Sequence, residues 1–178
     1  MKVKSHCDIF IGEFPFHKEL KEDLVPLLEG YDDHQNRKTN VQATMTEWDW
    51  HPENVSLKRL KNNIIEFIYY NCNNQEVRSV DDNTPVRYFV NDLWGNIYRK
   101  GDYTKEHKHL PNIFSFVYFL KSKWYHSPLV FSDSREKIRP TEGTFVIFPS
   151  HLKHLVPKHR YRETRITLSG NILIGKKS

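Results

Sequence analysis

The sequence predicts a mainly β domain with two helices, an α+β chain whose strands close into a jelly roll of the cupin-like kind. Three observations predict it. From Pro85 onward, short runs of Val, Ile, Phe, Tyr and Thr recur between turn residues, the pattern of sandwiches and barrels. The first half carries two apolar stripes at helical spacing. No strand–helix alternation runs through the second half, which argues against a parallel doubly wound sheet.

The elements follow in order. Cys7 to Phe14 reads as a short strand closed by Pro15. His17 to Leu28 sets Leu20, Leu24, Leu27 and Leu28 at helical spacing, with Pro26 weakening the end. Residues 30–39 are polar and read as a loop. Beyond Leu57, the positions Leu60, Ile64, Ile65, Phe67 and Ile68 mark a second helix, with start signals at Asn54 and Ser56 and a stop from Asn71 to Asn74. Strand runs follow at Val86 to Val90, Leu93 to Tyr98, Ile113 to Leu120, Leu129 to Phe131, Thr144 to Phe148, His154 to Val156 and Arg165 to Ile174. Gly101-Asp102, Pro111-Asn112, Ser132 to Ser134, Pro140 to Gly143 and Pro149-Ser150 separate them.

With 178 residues, one domain is expected, large enough to bury a core without disulfides or structural metal. Hydrophobic residues at 38% and aromatics at 13% fit a folded chain rather than a disordered one. The net charge of +5 is mild and its cations are scattered, apart from Lys158 to Arg162 and Lys176-Lys177. Nucleic acid is therefore not the favoured partner. The two cysteines, Cys7 and Cys72, make no framework, and a reducing setting is expected. No signal peptide or membrane span is expected.

Three of the ten histidines stand out. His107 and His109 form a His-Lys-His pair, and residues i and i+2 of a strand share a face, so both imidazoles reach one ion. His154 sits on a later strand run. Neutral imidazole suits Fe, Zn, Cu and Ni. Such a pair alone is a weak signal, and its plainer reading is two exposed histidines on a polar loop. Arg165 strengthens the case, because it opens an apolar strand run and a guanidinium placed there needs an anion. Either a bound carboxylate, which the guanidinium grips bidentately, or a protein acid such as Asp133 or Glu163 meets that need. Thr167 lies on the same face as Arg165, and Tyr98 offers a phenol. Trp48, Trp50 and Trp124 are weaker candidates for a substrate groove, since aromatics near strand ends are more often core. His6, His17, His34 and His51 have no partner pattern and read as surface residues.

These residues carry a resemblance. Tyr98 to Tyr103, His107 to His109, Ser115 to Leu120, Pro128 to Asp133, Glu142 to Ser150, His154 and Arg165 to Asn171 form an ordered series between Leu93 and Asn171. It resembles the 2-oxoglutarate/Fe(II) oxygenases, prolyl 4-hydroxylase-like members included, and in particular a small subfamily of bacteria and marine bacteriophages. The resemblance implies a double-stranded β-helix. Residues 1–84 would then supply supporting strands and helices, and 85–174 the metal-binding β-helix core of a single domain, 1–178. It implies Fe(II), 2-oxoglutarate and O2, with His107 and His154 as metal ligands and Arg165 as anchor for the distal carboxylate of 2-oxoglutarate. Thr167 would stand beside that anchor and Tyr98 would supply a supporting phenol.

One position departs from the wider superfamily, which has Asp or Glu where this chain has His109. A ligating His109 makes a three-histidine site in place of two histidines and a carboxylate, while Glu106, Asp102 and Asp133 remain alternative oxygen donors. The expected activity is hydroxylation of a protein or peptide side chain such as proline, or of a small molecule, in the cytoplasm of a bacterium or phage-infected host. The alternatives are a three-histidine cupin-like dioxygenase that does not use 2-oxoglutarate and a non-catalytic barrel that binds a partner.

Overall fold

A computed structural model describes residues 7–31, 39–50, 52–72 and 86–176. His6, His34 and His51, Lys177, and the Asn73-Asn74 end of the expected helix stop lie outside the described residues. The elements are β1 (Phe10–Glu13), α1 (His17–Glu29), β2 (Val41–Gln42), β3 (Thr44–Met45), α2 (Val55–Cys72) and β4 (Val86–Tyr98). They continue as β5 (Tyr103–His107), β6 (Phe114–Lys121), β7 (Leu129–Phe131), β8 (Lys137–Ile138), β9 (Thr144–Pro149), β10 (His154–Val156) and β11 (Arg165–Lys176).

The strands form two sheets, one ordered β1-β9-β6-β11-β4-β3 and the other β2-β5-β10-β7-β8. Every pairing between named strands is antiparallel. From β4 to β11 the chain passes repeatedly from one sheet to the other, which is jelly-roll wiring. The first half also supplies strands: β1 and β3 edge the larger sheet and β2 edges the smaller.

Alternation along the strands separates two cores. Leu93 and Ile97 of β4, Phe116, Tyr118 and Leu120 of β6, Phe145 and Ile147 of β9, and Ile166, Leu168 and Ile172 of β11 pack with the helices. From the helices come Leu20, Leu24 and Leu28 of α1 and Leu57, Leu60, Ile64 and Ile68 of α2. The intervening residues Tyr98, Val117, Phe119, Val146 and Phe148 meet Leu129, Phe131 and Val156 of the smaller sheet. Both faces of the larger sheet are thus buried, which is why its strands read as nearly continuous apolar runs. α1 lies close against β4 at Gly95, where a Cβ would stand 2.5 Å from Leu28 Cδ2. No helix among the described residues is long and apolar enough to cross a membrane.

Both helices lie where expected, while several other readings change. α1 runs through Pro26 to Glu29, because burial of Leu20, Leu24 and Leu28 outweighs the single backbone donor that proline lacks. α2 starts as expected, with Asn54 Oδ1 accepting the Leu57 N–H at 2.7 Å. The two runs expected at 86–90 and 93–98 are one strand, β4. Its register against β11 slips between Asn171 and Ile172, leaving Asn91 as a bulge. β5 was not expected as a separate strand. His17 is not a free surface residue: it is half-buried, and its Nδ1 lies 2.7 Å from Tyr118 Oη.

Candidate metal centre

The inward face of the β4–β11 ladder carries a row of polar side chains. Arg165 pairs in register with Tyr98, Thr167 with Asn96, Ser169 with Trp94 and Asn171 with Asp92. Apart from Asp92 these side chains are buried. Buried polar groups need partners, so this row marks a place built for chemistry.

The three histidines converge on that face. His107 ends β5 and His154 opens β10, and the two are register partners. His109 lies beyond the end of β5, so its approach is set by a loop and not by the strand periodicity expected of the pair. His109 Nε2 stands 3.1 Å from His107 Nε2 and 3.3 Å from His154 Nε2. One ring nitrogen from each residue falls within 4.8 Å of the other two. With metal–nitrogen bonds of roughly 2.1 Å, ligands spread by 90° to 109° lie about 3.0 to 3.4 Å apart. The donor set and its spacing fit a first-row transition metal.

The tautomers fit too. His107 Nδ1–H donates to the Lys105 carbonyl at 2.8 Å, and His154 Nδ1–H donates to the Leu152 carbonyl at 3.0 Å. A carbonyl only accepts, so in both neutral rings the lone pair is on Nε2, toward the centre. Burial pushes the His154 imidazole down to about 4 and His109 down to about 3, with the neighbouring histidines adding to the effect. Burial lowers His107 as well. At neutral pH all three rings are uncharged and able to bind a cation.

None of the three alternative carboxylates joins this group. Glu106 points to the surface, 3.7 Å from Lys153. Asp102 Oδ2 accepts the Arg99 N–H at 2.7 Å in the turn before β5, and Asp133 is exposed. That turn needs Gly101, at φ 102°.

Arg165 is fully buried, and its three guanidinium nitrogens have no hydrogen-bond partner among the described residues. Neither Asp133 nor Glu163 reaches it. Its guanidinium carbon lies 4.7 Å from the Tyr98 ring centroid and 5.5 Å from that of Phe119. Burial lowers its proton affinity, and Tyr98 opposes that shift. Tyr98 Oη is 2.7 Å from Thr104 Oγ1, and Thr167 Oγ1 accepts from Asn96 Nδ2 at 3.4 Å, which leaves its own proton free to be donated. Arg165, Thr167, Tyr98 and the three histidines line one pocket.

The tryptophans separate. Trp48 is 44% exposed and sets its ring edge-on to buried Trp94 at 4.6 Å. Trp94 in turn lies 5.7 Å from His109. Trp50 packs against the helix-side core. Trp124 is exposed near Arg139 and Tyr125 and does not line the pocket.

Asn96, Thr104 and Trp94 were missed by sequence reasoning. The shared face of Trp94 and Asn96 was legible once β4 was taken as a strand, since positions 94, 96 and 98 alternate with Leu93, Gly95 and Ile97; Thr104, on β5 of the other sheet, carried no such signal. The Lys105 and Leu152 carbonyls carry no residue-type signal at all.

No family model and no curated protein matches the sequence. Solved structures share the fold. A prolyl-4-hydroxylase from Pseudomonas putida matches with a TM-score of 0.68 at 14% identity, over 94% of this chain and 92% of that one. A viral collagen prolyl hydroxylase from Paramecium Bursaria Chlorella virus-1, in complex with 2-oxoglutarate, matches with a TM-score of 0.62 at 15% identity, over 92% and 94%. A prolyl hydroxylase from Trichoplax adhaerens, in complex with a hypoxia inducible factor oxygen degradation domain peptide fragment, gives 0.64 at 14%, over 93% and 83%. The chain therefore has the double-stranded β-helix fold of these oxygenases.

Proposed function

We propose that this protein is an Fe(II)- and 2-oxoglutarate-dependent dioxygenase that hydroxylates a protein or peptide side chain, with proline the first to test. The observation that carries the reading is the pairing, in one pocket, of three converging Nε2 atoms with a buried guanidinium that has no protein anion. His107, His109 and His154 would hold Fe(II), which would supply the oxidising chemistry of a hydroxylation that uses 2-oxoglutarate and O2 and yields succinate and CO2.

The rest belongs to the chain's own residues. The Lys105 and Leu152 carbonyls keep protons on Nδ1 and off the ligating nitrogens. Arg165 binds the distal carboxylate of 2-oxoglutarate through its fork, and Thr167 donates its hydroxyl to the same group. Tyr98 packs its ring on the guanidinium and orients it. Phe131, Phe148 and Val156 exclude water behind the site. Trp48 and Trp94 form an aromatic wall from the surface to His109, and Trp48 is the part a substrate meets first. The peptide bound in the Trichoplax adhaerens neighbour supports a peptide substrate class.

The test is succinate release in air from protein loaded with Fe(II) under anaerobic conditions, with and without Pro-containing peptides. Succinate that depends on 2-oxoglutarate and disappears in Arg165→Ala supports the reading. Iron binding without succinate points to a three-histidine dioxygenase of another kind. Absence of iron binding points to a non-catalytic barrel.

A further inference from the structure

Three sequence positions in the motif series, Ser115, Ser150 and Asn171, have no role in the mechanism above, yet all are buried. They lie on β6, after β9 and on β11, and the fold brings them into one hydrogen-bonded line. Asn171 Nδ2 donates to Asp92 Oδ2 at 3.0 Å, Ser115 Oγ donates to Asn171 Oδ1 at 3.0 Å, and Ser115 Oγ lies 2.7 Å from Ser150 Oγ.

The direction of every proton in this line is fixed. The Asp92 carboxylate only accepts, so the Asn171 amide must present Nδ2 to it and Oδ1 to Ser115. Ser115 spends its one hydroxyl proton on Oδ1. Ser150 therefore donates to Ser115. All the donors run one way, toward an anion, the arrangement in which neighbouring hydrogen bonds strengthen one another. Asn91 Nδ2 holds the other carboxylate oxygen at 2.9 Å.

Ser150 is also the residue that grips the His109 loop. Its carbonyl accepts the His109 N–H at 2.9 Å, and its own N–H donates to the Ile113 carbonyl at 3.0 Å. Both ends of the 109–113 segment are thus tied to one residue. Asn112 closes the loop by donating to the His109 carbonyl from its backbone N–H at 3.0 Å and from Nδ2 at 2.8 Å. His107 and His154 sit on paired strands, whereas His109 has only this loop to hold it.

We propose that Ser150, oriented by the line Ser150–Ser115–Asn171–Asp92, is the positioning residue for His109, and that this line sets the third ligand of the metal centre. The inference rests on the reading of the three histidines as a metal site. It explains how an imidazole off the strand reaches the same point as two imidazoles on it.

The test is titration of the metal-free protein with Co(II), read by its visible absorption. Ser115→Ala breaks the line at its middle, and Ser150→Ala removes only the donor at its start. Each is expected to weaken Co(II) binding by about 10- to 100-fold and to shift the Co(II) bands toward those of His109→Ala. Combining Ser115→Ala with His109→Ala is expected to add no further loss. Unchanged affinity and bands in both serine variants would overturn the proposal and leave the metal site standing. So would a fully additive loss in the double variant, which marks general loosening rather than action through His109. No Co(II) binding by the unaltered protein would overturn the metal site and this proposal together.

Discussion

His107 and His154 face each other as register partners across the β5–β10 ladder, and each donates its Nδ1–H to the carbonyl two residues before it. The two inward-facing Nε2 atoms are therefore held by hydrogen bonds that need no bound cation. His109 completes the set from outside the ladder.

This asymmetry predicts unequal effects of substitution. His107→Ala and His154→Ala should abolish stoichiometric Fe(II) binding. His109→Asp should keep it, because a carboxylate there recreates the two-histidine, one-carboxylate set. Anaerobic metal titration of the three variants checks this, and binding retained in His154→Ala would contradict it.

Arg165 should be costly to the protein that carries it. A buried cation without an anion is destabilising, and packed apolar groups in place of buried charge often gain about 1–4 kcal/mol. Arg165→Met is expected to raise the Tm of the metal-free protein. The same variant should weaken 2-oxoglutarate binding by at least about 100-fold, since two charge-assisted hydrogen bonds of about 1.5–3 kcal/mol each are lost. Calorimetry on one sample reads both effects, and their opposite signs are the diagnostic result.

Stability without metal should depend on pH. Folded His154 stays neutral down to about 4 and His109 down to about 3, while in the unfolded chain each takes up its proton near about 6.5. Between those values the unfolded state binds more protons, so stability is full above pH about 6.5 and is lost as the pH falls toward 4. His154 alone contributes up to about 1.4 kcal/mol per pH unit within that window. Urea unfolding at pH 5 and pH 7 measures the difference, which His154→Gln should reduce.

Gly95 should tolerate no side chain. An added Cβ would meet Leu28 Cδ2 at 2.5 Å and Thr46 Cγ2 at 3.3 Å. Gly95→Ala should destabilise by about 1–3 kcal/mol through displacement of α1. The neighbouring wall behaves differently. Trp48→Ala should leave Tm within about 3 °C, because the ring is nearly half exposed, while raising KM for any peptide substrate found in the proposed assay.

Much of this was legible in the residues. The two helices follow from leucine and isoleucine spacing, and the larger sheet from apolar runs that both cores require. His107, His154 and Arg165 stood out by type and order. His109 was reached by a partly wrong route: i, i+2 geometry presumes a strand, and the chain leaves the strand after His107. The Asn91 bulge was hidden because a polar Asn-Asp pair also marks turns. The line through Ser115, Ser150 and Asn171 was invisible because its members are 35 and 21 residues apart and touch only once the sheet is assembled.

The outermost strands of both sheets are short. β3, β2 and β8 have two residues each and β1 has four. At the edges formed by β1, β2 and β8, no long row of unpaired backbone amides offers itself to an incoming extended chain. Joining a sheet as an extra strand is therefore disfavoured at those three edges. Selectivity then falls to side chains around the mouth of the barrel, which can change between relatives without disturbing the ladder that carries the histidines and the arginine.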